Sequence, residues 1–376
     1  MQIGRMFRHL QRFDWLLMLG VVVLFILGIA AIYSVELSRA DADFLLVKKQ
    51  LVAFVLGIIC LIVVAKWNFL FLRNWGKAFY LIGIFFLVSV LIFGTELNGT
   101  KGWFILAGVS FQPVEFVKLA LLVQFARYFG EHARRRFGWK EIFGSGFLLA
   151  VPFLLVMVQP DMGSAAILLG TWAILLFFSG LRCVHAAVLS GVAVIAGIFG
   201  WLFVFADYQK DRLLVFLDPA LDPLVSGYNI TQAKIAIGSG GLFGQGLGFG
   251  SQSQLQFLPE SQTDFIFSVI AEELGFLGVC ILITAVLLIL WRILRAAQLT
   301  KEHFTKFLLL GIFSLFAVQF VVNIGVNLSL LPTTGIALPF VSYGGTSLLL
   351  SLILIGIVQS ITSRRRPGDD SLLSNT

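Results

Sequence analysis

Of 376 residues, 59% are hydrophobic and only 12% charged, with a mean hydropathy of +0.96 and a formal charge of +7. That balance excludes a soluble globular domain; with 37 glycines and 38 phenylalanines it describes helices packed closely on one another and on lipid, an all-α polytopic membrane protein. Cys60, Cys183 and Cys280 lie within or at the ends of apolar runs without CxxC spacing, which argues against a disulfide framework or a zinc site.

Runs able to cross a ~30 Å hydrocarbon core, about 20 residues each, fall at 15–34, 49–66, 78–94, 112–129, 143–158, 164–180, 185–206, 265–290, 307–328 and 344–362. Ten transmembrane helices leave both termini on one side. That side carries 19 Lys and Arg, while the alternate loops hold seven: Arg39, Lys48, Lys49, Lys101, Lys210, Arg212 and Lys234. The richer side is therefore expected to be cytoplasmic. The positive charge is then a topology signal, which removes nucleic acid from the list of partners.

A single transmembrane domain is expected over 1–366. It includes a large extracytoplasmic loop at 207–263 between the seventh and eighth helices, and a disordered cytoplasmic tail follows at 367–376. Within the loop, ITQAKIAIG is amphipathic and suited to the interface. Seven glycines between Gly238 and Gly250 match neither GxGxxG nor the P-loop, so a pliable segment packed against the bundle is favoured over a phosphate cradle.

Ionisable residues beside lipid are the candidates for chemistry, because such charges are costly unless paired, hydrated or in use. Asp264 is expected in the first turn of the eighth helix, sharing a face with Ser268 and Glu272 in a cleft open to the outside. Glu272 and Glu273 are expected in cleft or packing roles. A plain helix-terminal acid is the competing reading of Asp264, and a helix N-terminus would lower its pKa. Glu115 and Lys118 are three apart and can pair inside the membrane. Asp161, in QPDMG, either serves the site or caps the next helix. Glu260, Arg212, Lys234 and Lys101 stand in the outer loops, where cations suit an anionic head group. The segment 327–347 has its helix broken by Pro332, Gly335, Pro339, Gly344 and Gly345; backbone of that kind must be buried in protein or line a cavity. Ser342 and Tyr343 in it either touch substrate or pack.

The motifs NGTKGWF (98–104), FQPVEFVKLA (111–120), QPDMGSA (159–165), FLDPALDPLVSGYNITQAKIAIGSGGLFGQGLG (216–248), FLPESQTDFIFSVIAEELG (257–275) and LPTTGIALPFVSYGGTS (331–347) together resemble the SEDS family (shape, elongation, division and sporulation) of bacterial membrane proteins. AIGSGG and SQLQFLPE resemble its elongation-type rather than its division-type members. Ser261 and Gln262 depart from the basic residue and His that many relatives carry before the threonine.

The resemblance implies a peptidoglycan glycosyltransferase, an inverting hexosyltransferase that polymerises lipid II at the outer face of the bacterial cytoplasmic (inner) membrane during cell elongation and releases undecaprenyl pyrophosphate. It places the catalytic aspartate at Asp264, the intramembrane Glu and Lys at Glu115 and Lys118, and the QPD aspartate at Asp161. Its implied partners are a class B penicillin-binding protein (a transpeptidase) and the elongation machinery. These residues specify no cofactor, and a divalent cation such as Mg2+ or Mn2+ stays open as one way to steady pyrophosphate. The rival readings are a lipid II flippase without chemistry and a non-catalytic scaffold for the transpeptidase.

Overall fold

The computed structural model describes residues 13–38, 43–97, 99–106, 109–133, 137–205, 207–218, 221–222 and 226–364. The expected tail at 367–376 and the basic residues Arg39, Arg134, Arg135 and Arg136 lie outside the described residues.

Each of the ten apolar segments forms a helix. In chain order they are α1 (Trp15–Leu37), α2 (Leu45–Lys66), α3 (Leu70–Phe93), α4 (Pro113–His132), α5 (Trp139–Val158), α6 (Met162–Phe178), α7 (Cys183–Phe199), α11 (Ile266–Gln298), α12 (His303–Asn327) and α13 (Gly345–Ser363). Among the described residues eight are long and apolar enough to cross a membrane, α7 counted together with the wider π-helical turn that continues it (Cys183–Phe203); α6 is shorter, and α4 carries the ionisable Glu115 and Lys118. Local chemistry sets their starts. The Asp14 carboxylate accepts the Leu17 N–H ahead of α1, Pro113 opens α4 without an orphaned amide, and Asp161 and Glu302 cap α6 and α12.

The helices pack as a bundle in which α2 lies along α13, α1 along α11, and α4 between α3 and α12. Its interior is phenylalanine-rich, with Phe125, Phe129, Phe316, Phe320 and Phe340 fully buried. Helix α7 stands off this bundle. Among its residues only His185 is buried, edge-on to the Trp139 ring at 4.7 Å, while Val192, Ile195, Ile198 and Phe199 are exposed as a lipid-facing span requires.

The mainly helical class thus stands, with one addition that hydropathy does not signal. Between α3 and α4 the chain forms a three-stranded antiparallel sheet, β1 (Thr95–Leu97), β2 (Thr100–Leu106) and β3 (Val109–Phe111), with Glu96 opposite Lys101 and Phe104 opposite Phe111. The segment expected as a long loop is also built of helix: α8 (Asp207–Leu217), α9 (Ser226–Ser239) and the single turn α10 (Ser251–Gln254). ITQAKIAIG lies in α9, which packs on α11 and buries Ile230, Ala233 and Ala236.

Helix α11 is interrupted at Gly275, whose φ of 63° and ψ of −162° are closed to residues with a side chain. A break leaves carbonyls before it and amides after it unpaired, which is untenable beside lipid. The glycine run supplies the partners. Gln245 and Gly246 donate their N–H groups to the Glu272 and Glu273 carbonyls at 3.0 Å, and the Gly241 and Leu242 carbonyls accept from Phe276 and Leu277 at 2.9 and 3.1 Å. A Cβ on Gly240 would lie 1.9 Å from the Ala271 oxygen, and one on Gly244 2.1 Å from the Glu273 oxygen. The glycines are therefore needed for backbone to meet backbone.

Candidate active site

Asp264 lies in a tight turn two residues ahead of α11. The expectation that it sits in the first helical turn is corrected: the helix begins at Ile266. Three successive carbonyls of this turn are held by the broken segment 328–344 and by α12. Tyr343 N–H donates to the Gln262 oxygen at 2.9 Å and Ser342 Oγ to the Thr263 oxygen at 2.6 Å. Asn323 and Asn327, one helical turn apart on α12, both donate to the Asp264 oxygen, at 3.0 and 2.9 Å.

With its backbone secured, the side chain of Asp264 is left to other uses. Among the described residues no hydrogen bond reaches its carboxylate, and it keeps partial exposure. Burial pushes its pKa up from 3.8 to about 6, the neighbouring Glu260 adds to the rise, and the Arg212 guanidinium opposes it. This reverses the depressed value expected of a helix terminus, because the carboxylate does not cap α11. Gly335, at φ 68°, brings the broken segment to its flank; a Cβ there would stand 3.8 Å from Asp264 Oδ2.

The other two acids of the stretch do different work. Glu272 accepts the N–H groups of Gln252 and Ser253 at 2.7 and 3.1 Å, so it caps α10 from inside α11. Glu273 accepts the hydroxyls of Ser34 and Ser253, tying α10 and α11 to α1. Both are buried and hold the α10–α11 junction together, the packing alternative of the two roles expected; with Asp264 outside the helix, the single helical face shared with Ser268 and Glu272 is corrected. Glu260 accepts the Thr263 hydroxyl at 2.7 Å.

Glu115 and Lys118 form the pair their spacing suggests, Nζ to Oε1 at 2.7 Å, with both side chains buried and Glu115 Oε2 unpartnered. Asp161 caps α6, accepting Ser164 N–H at 2.8 Å, and Gln112 approaches its other oxygen at 3.5 Å. The α6 terminus lies against the broken segment, where a Cβ on Gly163 would meet the Thr334 oxygen at 2.2 Å. The segment 334–336 thus lies against the α6 terminus that Asp161 caps and flanks the Asp264 side chain.

Arg212, on α8, acts electrostatically on Asp264. Lys234 is exposed on α9, and Lys101, on β2, reaches the Ile92 carbonyl at 3.5 Å; no ion pair or hydrogen bond among the described residues joins either to Asp264. Ser342 both accepts from Leu338 N–H at 2.8 Å and donates to Thr263, so its hydroxyl is committed to the turn. Residue-level reading missed Asn323 and Asn327. The signal was available: two carboxamides four apart in a membrane helix need partners as acids do.

Taken together these features describe a multi-pass membrane protein with one uncommitted carboxylate at a helix entrance, a cation beside it, and a rigid polar scaffold behind it. The comparisons give that class a family. The family model FtsW/RodA/SpoVE, described as cell cycle protein, matches residues 13–367. Stage V sporulation protein E of Bacillus subtilis (strain 168) is 36% identical over 364 residues, spanning 94% of this chain and 98% of that protein. Peptidoglycan glycosyltransferase MrdB of Escherichia coli (strain K12) is 37% identical over 352 residues, spanning 93% and 94%. Among solved structures, a chain from a peptidoglycan synthase complex that coordinates polymerization and crosslinking superposes with a TM-score of 0.78 at 30% identity, covering 94% of this chain and 99% of that one. The chain belongs to the FtsW/RodA/SpoVE family of membrane proteins, the SEDS family that the motifs resemble.

Proposed function

We propose that the protein is a peptidoglycan glycosyltransferase that polymerises lipid II into β-1,4 glycan strands at the outer face of the bacterial inner membrane, with Asp264 as general base. The observation that carries the assignment of the base is the uncommitted carboxylate. Of the acids at 260–273, Glu260, Glu272 and Glu273 accept hydrogen bonds from protein groups, and Asp264 alone accepts none among the described residues. A base must be able to take a proton, and a pKa near 6 leaves it ionised at neutral pH yet basic enough to do so.

In this reading the ionised Asp264 accepts the proton of the GlcNAc 4-hydroxyl of the acceptor. That oxygen forms a bond to C1 of the donor MurNAc, the C1–O bond to pyrophosphate breaks, and its electron pair leaves with undecaprenyl pyrophosphate. Direct displacement turns the α-linked donor into a β-1,4 bond. Cations steady the charge that develops on the leaving group; Lys234, Lys101 and Arg212, whose charge acts on Asp264, are the candidates for this role. Among the described residues no three His, Cys, Asp or Glu side chains converge on one point, so a Mg2+ or Mn2+ ion would be held mainly by pyrophosphate oxygens, and every step above is carried by protein and substrate groups. Glu115, Lys118 and Asp161 support the site from α4 and α6.

The partner is a class B penicillin-binding protein, supported by the likeness to a chain of a complex that joins polymerization to crosslinking. An elongation role rests on the AIGSGG and SQLQFLPE wording, because identities of 36% and 37% to a sporulation protein and to MrdB do not separate the branches. The test uses labelled lipid II in detergent micelles, with and without a partner transpeptidase. Chain growth is expected from the native protein and none from Asp264→Ala; since micelles have one compartment, growth also excludes a pure flippase. Polymer made by Asp264→Ala overturns the assignment.

A further inference from the structure

Helix α11 ought to begin one residue earlier, with Asp264 as its N-cap. The sequence Thr263-Asp264-Phe265 runs without proline or glycine into a strongly apolar helix, and the bond that would extend it is Ser268 N–H to the Asp264 carbonyl. The first i→i−4 bond observed is Val269 N–H to the Phe265 oxygen, at 3.3 Å. At the preceding step Ser268 N–H is shared between the Phe265 oxygen, at 3.0 Å, and the side chain of Asn327, to which the Asp264 carbonyl also turns. Asn327 Nδ2 donates to the Asp264 oxygen at 2.9 Å, while Asn327 Oδ1 accepts from Ser268 N–H at 3.1 Å and from Ser268 Oγ at 2.7 Å.

We infer that Asn327, with Asn323 beside it, is a positioning residue for the glycosyl transfer: its carboxamide is interposed in the hydrogen-bond ladder of α11 and keeps Asp264 out of the helix. A carboxamide is suited to this place because it presents one donor and one acceptor, the same pair a peptide group would. Side chains inserted into an i→i−4 ladder are a recognised cause of helix disruption. Asn323 Nδ2 adds a second donor to the Asp264 oxygen at 3.0 Å and reaches the Ile336 carbonyl at 2.7 Å, so the same residue fixes the segment flanking the carboxylate. Asn327 is wholly buried and Asn323 nearly so; neither is open to solvent or substrate. They act through Asp264.

Without the Asn327 carboxamide, Ser268 N–H keeps the Phe265 oxygen and the Asp264 carbonyl keeps Asn323 Nδ2, but no side chain stands between the two groups and the i→i−4 bond that joins them competes with those contacts. The helix would extend by one residue and make Asp264 its N-cap, turning the carboxylate onto the helix's own amide terminus and away from the acceptor hydroxyl. Displacements of about 1 Å at a reacting group cost roughly 10²-fold in rate. A carboxylate at a helix terminus is also held more firmly ionised, so the pH–rate profile reports the change. The charged groups acting on Asp264, Glu260 and Arg212, stay in place in these variants.

This inference rests on the general-base reading, and the experiment separates the two. Polymerisation of labelled lipid II is measured against pH for native protein, Asp264→Asn, the near-isosteric Asn327→Leu and the milder Asn327→Ser. Detergent melting checks the fold. The expected result for Asn327→Leu is a kcat lower by about 10²-fold, a KM for lipid II changed by less than ~3-fold, and an acid limb moved to lower pH; Asn327→Ser moves both in the same direction by less. Should the leucine variant fail to fold, the serine variant decides. Folded Asn327 variants with native kcat and an unmoved acid limb, alongside an inactive Asp264→Asn, overturn the positioning role alone. An active Asp264→Asn overturns the reading beneath it.

Discussion

Two irregularities frame the first nine residues of α11, and they are built differently. At Gly275 the backbone turns through a conformation only glycine tolerates, and the freed groups on both sides are taken up by backbone of the segment 241–246, with Glu272 and Glu273 consumed as acceptors for α10 and for Ser34. At Asp264 the freed carbonyls are taken up by the side chains of Asn323, Asn327 and Ser342, with one backbone N–H from Tyr343, and the carboxylate is left over. One site uses its acids to hold the fold and the other uses the fold to hold its acid. Within a short stretch, the hydrogen-bond account tells structural from chemical carboxylates where proximity to lipid does not.

The largest effect is expected where backbone meets backbone. Gly240→Val places atoms inside contact distance of the Ala271 carbonyl and should leave little folded protein, read as loss of the monodisperse peak in detergent; a well-folded variant would break the description of the Gly275 junction. Next comes the buried pair on α4, a reference lying outside either irregularity. Lys118→Met strands an ionised Glu115 and should cost about 3–5 kcal/mol, more than the Glu115→Gln/Lys118→Met double variant; additive losses in a double-mutant cycle would show the two are uncoupled. A smaller loss, about 1–3 kcal/mol, is expected for Glu272→Gln, which weakens the charge-assisted bonds to Gln252 and Ser253.

The smallest and most local effect is in pH dependence. Asp264 acts when ionised, so below pH 6 the native rate should fall about tenfold per unit. Glu260→Gln removes a neighbouring negative charge and should shift that limb to lower pH, and Arg212→Ala should shift it upward. The same raised pKa has a sign for stability: the cost of holding the ionised form is absent below about 3.8, grows up to about 6 and is constant above. Asp264→Asn should therefore melt no lower than the native protein at neutral pH.

Hydropathy made the ten helical segments legible because a run of about 20 apolar residues has few other uses, and the spacing of Glu115 and Lys118 announced their pairing. The strands at 95–111 were not legible, being short and glycine-containing with no sustained alternation. Nor was the break at Gly275, since ELGFLG continues an apolar run and the partners that make a break tolerable lie some thirty residues earlier. Asp264 was found as a candidate but expected with a lowered pKa; burial and the neighbouring Glu260 raise it instead, and both depend on a turn whose carbonyl is held by Asn327, 63 positions away.

The most direct test sets the two kinds of acid against each other. Asp264→Asn and Glu272→Gln are purified in parallel, and each is assayed for glycan polymer from labelled lipid II and for melting in detergent. A folded, native-melting Asp264→Asn that makes no polymer, beside a Glu272→Gln that melts lower and loses activity only as far as it loses fold, is the predicted outcome. Polymer from Asp264→Asn, or a fully stable Glu272→Gln that is inactive, would contradict the division of labour between them.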